Sequence, residues 1–526
     1  MISSEYDVVV IGSGAGGLAA ALPLAQAGKR VVVFEQHEVP GGWTHSFTLD
    51  GKYRFSPGVH YIGGIEEGGT MRKIYEGLGV SKHLKFRELN PDGFDHVFIG
   101  KERFDFPKGK QSLINRLKDR FPSESKGIDR YFDTVTRMME VLDEYGDDKD
   151  LFRLIRFYLK ALPVIRWKYA SGQALIDHFI KDPVLKAILN AQTGDHGTPP
   201  SQVSAFIHAA IIHHYFNGGY YPKGGAFAIP RAFVRELKSA GGEIYLKTPV
   251  KKILIDNGIA KGVELYDGTI VKAGKVISNA DPDATFVKMI GKEKLGKKLR
   301  KKIEGLAYSV SALSLFFAVD MDLEKAGLDS GNFWFYENED IDGIYRDMKD
   351  ADLLDREKFP ALFLTVTTLK DPDKRGSNGH HTCEAFVFIK YDSFRKWAGE
   401  TPGHRSQEYK DMKEKLAKKM FRTLEERVPG ITEHTVFYNV ATPLTNENYI
   451  NATRGNNYGI DKTVKQVGKG AFAVETEIKD LYMCGSSTLS HGVAGVTISG
   501  LAAAAKILNC DRDQLLKQNG PELMVE

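Results

Sequence analysis

The chain of 526 residues has room for a large core and more than one domain, and its 42% apolar and 27% charged residues exclude wholesale disorder. A formal net charge of +4, with the bases dispersed along the chain, gives no footing for nucleic acid as a partner. Three widely separated cysteines, Cys383, Cys484 and Cys510, form neither a CxxC pair nor a disulfide framework, which fits a reducing compartment. The first apolar strand begins within a few residues of Met1, so no signal peptide is expected and the chain reads as cytoplasmic.

Val8 to Ile11 is an apolar run suited to a strand buried on both faces, and Ala15 to Ala27 is an Ala- and Leu-rich helix with Gly28 as its C-cap. Between them, Gly12 permits a tight turn, Gly14 lets a pyrophosphate approach the backbone, and Gly17 lets helix and sheet pack closely. The helix N-terminus offers free N–H groups and partial positive charge to phosphates. Glu35 ends the next strand, where a ribose hydroxyl would lie. These offsets predict a dinucleotide-binding βαβ unit, which taken alone permits NAD or FAD.

The paired glycines Gly41 and Gly42 follow, in a stretch that predicts either an anion-facing nest or a simple turn. Phe55 to Gly64 is again punctuated by glycine and carries His60 and Tyr61, placed to reach a cofactor or substrate or to sit in the core. Leu84 to Asp105 alternates as strands do, and Ser112 to Lys186 reads as mostly helical. Within it, residues 151–168 combine aromatics, aliphatics and bases without acids, the composition of a helix at a membrane surface and equally of one packed on the protein. His208, His213 and His214 lack an acid or cysteine at ligand spacing, so no metal site is expected.

Glu243 to Leu246, Val250 to Asp256, Ala260 to Leu265 and Thr269 to Ser278 read as strands, joined by hairpin turns at Asn257-Gly258 and Asp267-Gly268. Ser309 to Val319, Ala361 to Thr368 and Glu384 to Ile389 predict a second sheet, while Lys292 to Glu304 and Tyr409 to Arg427 read as solvated helices. Leu481 to Ala505 carries no formal charge over about the length of a membrane span. It is too polar and glycine-rich for one, and instead predicts a strand, a loop through Gly492 and a buried helix from Ser499 to Leu508.

Gly12 to Gly17 with Glu35, Gly41-Gly42, Tyr221-Pro222-Lys223-Gly224-Gly225, Ser278-Asn279-Ala280-Asp281 and Gly485-Ser486 through Gly492 to Thr497 together resemble the flavoprotein family of phytoene desaturases, carotenoid isomerases and retinol saturases. Ser56-Pro57-Gly58-Val59-His60-Tyr61-Ile62-Gly63 looks most like the retinol saturase branch. The resemblance implies an α/β fold: a discontinuous Rossmann-like FAD-binding domain (1–83, 220–305 and 471–526) plus a mixed α+β substrate domain with a helical lid (84–219 and 306–470). It also implies FAD contacts. Gly12, Gly14 and Gly17 would hold the pyrophosphate, Glu35 the adenosine ribose, and Gly41 and Gly42 the phosphate side, with Ala15 and Thr44 as further cofactor contacts. Val250 would meet adenine through its backbone and Gly485 and Ser486 the ribityl or phosphate region, with Val496 and Thr497 near the ring and Gly492 a further cofactor contact. Trp43 and Ser486 stand where many relatives carry an arginine and an acid.

No second glycine fingerprint follows a strand, so no NAD(P) domain is expected and electrons would pass through a diffusible donor or acceptor. With the late Gly485 to Thr497 segment, this selects FAD. The reading is an FAD-dependent oxidoreductase acting on C=C bonds of a long apolar retinoid or carotenoid, reducing them by hydride transfer from reduced flavin. Tyr61 would donate the proton, with His60 beside it. A desaturase or cis-trans isomerase on the same scaffold is the alternative, and a non-redox prenyl-binding escort protein, as in the GDP-dissociation inhibitors of this architecture, is the alternative from another class. A membrane-borne polyene or isoprenoid would give residues 151–168 a role in monotopic, peripheral docking.

Overall fold

The computed structural model describes residues 2–144, 159–375, 378–517 and 519–526. The strand Glu5–Ile11 lies between Val31–Phe34 and Ile270–Ser278, parallel to both, and Glu243–Tyr245 extends the sheet beyond Val31–Phe34. Ile270–Ser278 also takes Ile259–Leu265 antiparallel and, nearer its end, Leu481–Met483 parallel; Val250–Asp256 closes that edge. Every residue from Val8 to Ile11 and from Val31 to Phe34 is buried, as strands with both faces covered require.

Helix Ala15–Gln26 runs between Gly492–Leu508 and Ala228–Ser239, so the two ends and the middle of the chain meet over one sheet. Glycine makes the contact possible. A Cβ on Gly500 would stand 2.1 Å from the Gly16 carbonyl oxygen, and one on Gly17 would stand 2.1 Å from that of Gly12. The last helix starts at Gly492 rather than Ser499, so Gly492 to Thr497 are its first turns and not a loop before it. The glycines that suggested a loop serve close packing instead: a Cβ on Gly495 would lie 2.7 Å from that of Ser490.

The second sheet runs Thr435–Ala441, Ser311–Val319, His381–Ile389, Ala361–Val366, Asn332–Tyr336, Asp95–Ile99, Glu102–Phe106. Its pairings are antiparallel except between Asn332–Tyr336 and Asp95–Ile99. Helices Ser125–Glu144, Gly172–Phe179 and Ala205–His214 pack on one another, and their buried side chains share one core with this sheet. Gln407–Glu425 is not solvated all round, because Leu416, Met420 and Leu424 recur at helical spacing and bury one face.

Of the segment 151–168, residues 151–158 lie outside the described residues. In the remainder Val164 and Trp167 are buried, while Leu159, Leu162 and Ile165, with Tyr169 just beyond, are among the most exposed apolar side chains of the protein, at 52–74%. No described helix is long and apolar enough to cross a membrane.

Candidate active site

A single cavity of about 2380 Å³ runs from the first glycine turn to Ile165 and Tyr169 among these exposed side chains. Small-molecule sites usually occupy about 300–1,000 Å³, so there is room here for a dinucleotide and a second long ligand together. One half is backbone and polar side chains of the first sheet's C-terminal edge. The other is apolar, walled by Met139, Val164, Phe206, Ile211, Phe363 and Phe386.

Gly12, Gly14, Ala15, Glu35, Gly41, Gly42, Thr44, Val250, Gly485, Ser486, Gly492 and Val496 all line the cavity, as do His60 and Tyr61. Gly17 and Thr497 do not. Gly17 is turned to the Gly12 carbonyl, and Thr497 is buried within its helix. Glu35 is fixed by three hydrogen bonds: Ser13 N–H and Oγ donate to Oε2 at 2.8 and 2.7 Å, and His37 N–H donates to Oε1 at 2.8 Å. Ser13 Oγ in turn accepts from Gly41 N–H, linking the first turn to the glycine pair. Asn279 fills the space beneath, so that a Cβ on Gly14 would lie 2.7 Å from its Nδ2 and one on Gly16 would lie 2.6 Å from its Oδ1.

Two helices aim their N-termini into this half. Neither Ala15–Gln26, capped by Gly14, nor Gly492–Leu508, capped by His491, has a side-chain hydrogen bond at its cap, so first-turn N–H groups remain for a ligand. His491 Nε2 donates to the Asp195 carbonyl at 3.0 Å, which leaves Nδ1 an acceptor, buried and without a protein partner. Burial, then the Lys462 charge, lowers the His491 pKa to about 3, so the ring is neutral. A glycine cradle that a side chain would fill, two uncapped helix ends and an orphaned acceptor fit an extended dinucleotide with a hydrogen-bonding ring.

The loop from Ser56 to Gly63 separates the two halves. Ser56 N–H donates to Glu384 Oε1 at 2.7 Å, and Gly58 lies so close under Trp43 that a Cβ would meet its ring at 3.1 Å. His60 packs on Phe363 and Phe386, with Nδ1 3.2 Å from Glu384 Oε2. Gly63 N–H donates to His214 Nε2 at 3.0 Å; burial lowers that histidine to about 4, in keeping with an acceptor nitrogen. Lys370 supports the loop from behind, donating to the His60 carbonyl and to Asn332 Oδ1, and burial lowers its pKa to about 7.

Tyr61 stacks on Tyr215 with ring centroids 4.2 Å apart, and its hydroxyl lies 2.8 Å from Asp195 Oδ2 and 3.1 Å from Asp95 Oδ2. Asp95 is wholly buried and also accepts from Gln192 Nε2, Asn332 Nδ2 and Trp334 Nε1. Burial raises its pKa, and those donors pull it back. For Asp195, burial and then the Asp95 charge push the carboxyl well above the usual range. Sequence reading missed Ser13, Asn279, Asp95, Asp195, Glu384, Lys370 and His491 as site residues. Ser13, Asn279 and His491 carried a signal, each inside a stretch already singled out; Asp95, Asp195, Glu384 and Lys370 carried none.

Fold and site together define a dinucleotide-binding oxidoreductase whose cofactor cavity continues into an apolar chamber. The family model of the flavin-containing amine oxidoreductases matches residues 15–508, and the chain belongs to that family. It is an FAD-dependent oxidoreductase. The chain is 29% identical to all-trans-retinol 13,14-reductase of Danio rerio, across 97% of this chain and 87% of that one. It is 28% identical to the chloroplastic prolycopene isomerase of Arabidopsis thaliana, across 96% and 83%. Among solved structures, putrescine oxidase with bound putrescine superposes with a TM-score of 0.61 at 15% identity, across 96% of this chain and 99% of that one, a likeness of fold.

Proposed function

We propose that this enzyme reduces a C=C bond of a long apolar polyene of the retinoid or carotenoid class. The observation that carries the reading is the continuity of one cavity from the dinucleotide half, past Tyr61 and Asp195, into an apolar chamber. The names of the two sequence relatives, a retinol reductase and a prolycopene isomerase, support the substrate class.

When bound, FAD supplies the hydride chemistry. The turn from Gly12 to Ala15 and the helix behind it would hold the pyrophosphate, Glu35 the adenosine ribose, and Gly41, Gly42 and Thr44 the adjoining phosphate face. Val250 would meet adenine, Gly485 and Ser486 the ribityl chain, and Gly492 and Val496 the ring, with the dipole of their helix favouring negative charge there. Gly17 and Thr497 would act one layer back, through packing. His60 we assign to the chamber wall, and Tyr61 to the hydrogen-bonded cluster that supplies the proton. Phe363, Phe386 and the aliphatic wall would align the polyene and exclude water.

An apolar polyene dissolves in membranes, and the chamber is lined by the exposed Ile165 and Tyr169 and by Lys168, with Leu162 and Arg166 in the same short segment. We read this rim as the point of peripheral membrane contact and substrate entry. Electrons would come from a diffusible donor.

The test is anaerobic reduction of the purified yellow protein, then incubation with retinoids, carotenoids and unsaturated fatty acids, with products identified by mass and double-bond position. A product two hydrogens heavier is expected. Desaturated or isomerised products would transfer the reading to the alternative chemistries on this scaffold, and a colourless protein that takes up no flavin would sink it in favour of a binding protein.

A further inference from the structure

The hydroxyl of Tyr61 has one hydrogen and two carboxylate neighbours. Asp195 Oδ2 and Asp95 Oδ2 both lie within hydrogen-bond distance of it, and the hydroxyl can donate to only one of them. The other contact is a hydrogen bond only if that carboxyl brings a proton of its own. We propose that Asp195 is that acid, that the order is Asp195 O–H to Tyr61 O–H to the Asp95 carboxylate, and that Asp195 is the group that delivers the proton to the substrate.

The surroundings decide the order. Asp95 takes N–H donors from Gln192, Asn332 and Trp334, none of which has a proton to give up, so its oxygens are committed as acceptors and the group is the anion. Asp195 has no such donors on its side chain. Two carboxylates bridged by one hydroxyl in a dry site are not both ionised at rest, as in other paired acids. Of the other titratable groups near Asp195, Tyr215, Tyr336, Tyr345 and Tyr458 are held well above their ordinary range by burial, and His196 and His491 are held well below theirs by burial, so all stay neutral. The shift of Asp195 itself has the direction this order demands.

Position supports delivery. Asp95 and Tyr336 are sealed in the core, whereas Asp195 is partly exposed and lines the cavity. Its carbonyl is held by His491, the cap of the late helix, which places the acid at the junction of the flavin and polyene halves. This rests on the proposed reduction. Saturating a C=C bond adds a hydride, which reduced flavin provides as it becomes oxidised, and a proton. The Asp195 O–H turns from Tyr61 to the substrate and breaks, the π electron pair forms the new C–H bond at the carbon next to the hydride-bearing one, and Asp195 is left as a carboxylate. Its proton is restored from water when the product leaves.

Asp195→Asn keeps a hydrogen-bonding group toward Tyr61 but cannot release a proton. The wild type, Asp195→Asn and Tyr61→Phe are to be compared in two measurements. The first is the infrared spectrum of flavin-loaded, substrate-free protein, where the wild type should show the C=O stretch of a buried carboxylic acid that shifts in heavy water and is lost in Asp195→Asn. The second is anaerobic reoxidation of the pre-reduced flavin by polyene. It should slow about 100-fold or more in Asp195→Asn, with the wild-type fall in rate at high pH gone and flavin reduction unchanged; Tyr61→Phe should show a shifted pH profile and a smaller loss. A carboxylic-acid band that survives in Asp195→Asn, or reoxidation by that variant at the wild-type rate, overturns the proposal. If wild-type protein reduces no polyene, the functional reading falls, while the infrared band still decides which group holds the proton.

Discussion

His491 Nε2 donates to the main-chain oxygen of Asp195 at 3.0 Å, joining residues 296 positions apart in the chain. The bond ties the N-terminal turn of the late helix, part of the cofactor half, to the short turn Ala191–Asp195 of the substrate half. His491→Leu keeps the bulk and removes the donor, leaving a buried carbonyl unsatisfied at a cost of about 1–3 kcal/mol. The expected result is a lower melting temperature in the flavin-loaded protein and, because Asp195 loses its anchor, a slower reoxidation by polyene. Asn at 491 retains a donor and should recover part of the stability. Equal melting temperatures for wild type and His491→Leu would show that the bond does not brace the junction.

Three glycines separate space from backbone conformation. Gly17→Ala would place a methyl 2.1 Å from a backbone oxygen of the same tight turn, which cannot move aside, so this variant should fail to accumulate as folded protein. Gly14→Ala meets only the end of Asn279, at 2.7 Å, and Gly14 has a φ of −58° that alanine adopts freely. It should fold, yet bind flavin several-fold more weakly, because the methyl and the displaced Asn279 intrude where the pyrophosphate must approach. Gly28→Ala meets nothing but carries a φ of +80°, costing about 1 kcal/mol with flavin affinity unchanged. Purification yield, flavin-to-protein ratio and melting temperature rank the three.

The cofactor half is legible in sequence because its determinants are local. Strand, turn, helix and Glu35 fall within one short stretch, and each residue's job follows from its neighbours. The hairpin strands Val250–Asp256 and Ile259–Leu265 are legible for the same reason, through Asn257-Gly258. The proton-bearing cluster is not. Tyr61 meets Asp95 and Asp195 across 34 and 134 residues, and nothing around either aspartate distinguishes a buried acid from a turn residue. The start of the last helix was misplaced because glycine is read as a helix breaker, whereas packing against Ser490 and Gly16 offsets its propensity cost. Gln407–Glu425 looked solvated because its charges outnumber the few apolar residues that bury its inner face.

His96 controls how the substrate sheet responds to alkali. Its Nδ1 lies 2.7 Å from Asp105 and its Nε2 3.0 Å from Asp329, with the ring stacked on Phe333. Burial alone would lower its pKa, but the two carboxylates overcome it and raise the value to about 9. An unfolded histidine titrates at about 6.5. The stabilisation is therefore complete below that pH and disappears as pH rises through about 9, a difference of about 2–3 kcal/mol once the partly exposed carboxylates are discounted. His96→Phe should lower the melting temperature at pH 6 and flatten its decline between pH 6.5 and 9.5. An unchanged slope in that variant would assign the alkaline loss to another group.

The rim of the chamber makes the most direct contact with the question of substrate supply. Leu162, Ile165 and Tyr169 are 64%, 52% and 74% exposed, next to Arg166, whose guanidinium lies 4.4 Å over the Trp167 ring, and Lys168, whose ammonium lies 5.4 Å from that of Tyr169. Water is a poor environment for three such side chains together, and anionic headgroups suit the bases between them. Each apolar side chain moved into acyl chains would contribute about 1–2 kcal/mol, so replacing all three by glutamate should weaken binding to anionic vesicles by well over tenfold. Flavin content should not change, because none of the three touches the cofactor half. Transfer of hydrogen to a polyene delivered in vesicles should fall steeply, while transfer to the same polyene presented in detergent micelles should fall much less. Vesicle binding as tight as that of the wild type would refute the rim as a membrane contact. An equal loss of activity in vesicles and micelles would instead mean that these side chains shape the chamber and not its access to lipid.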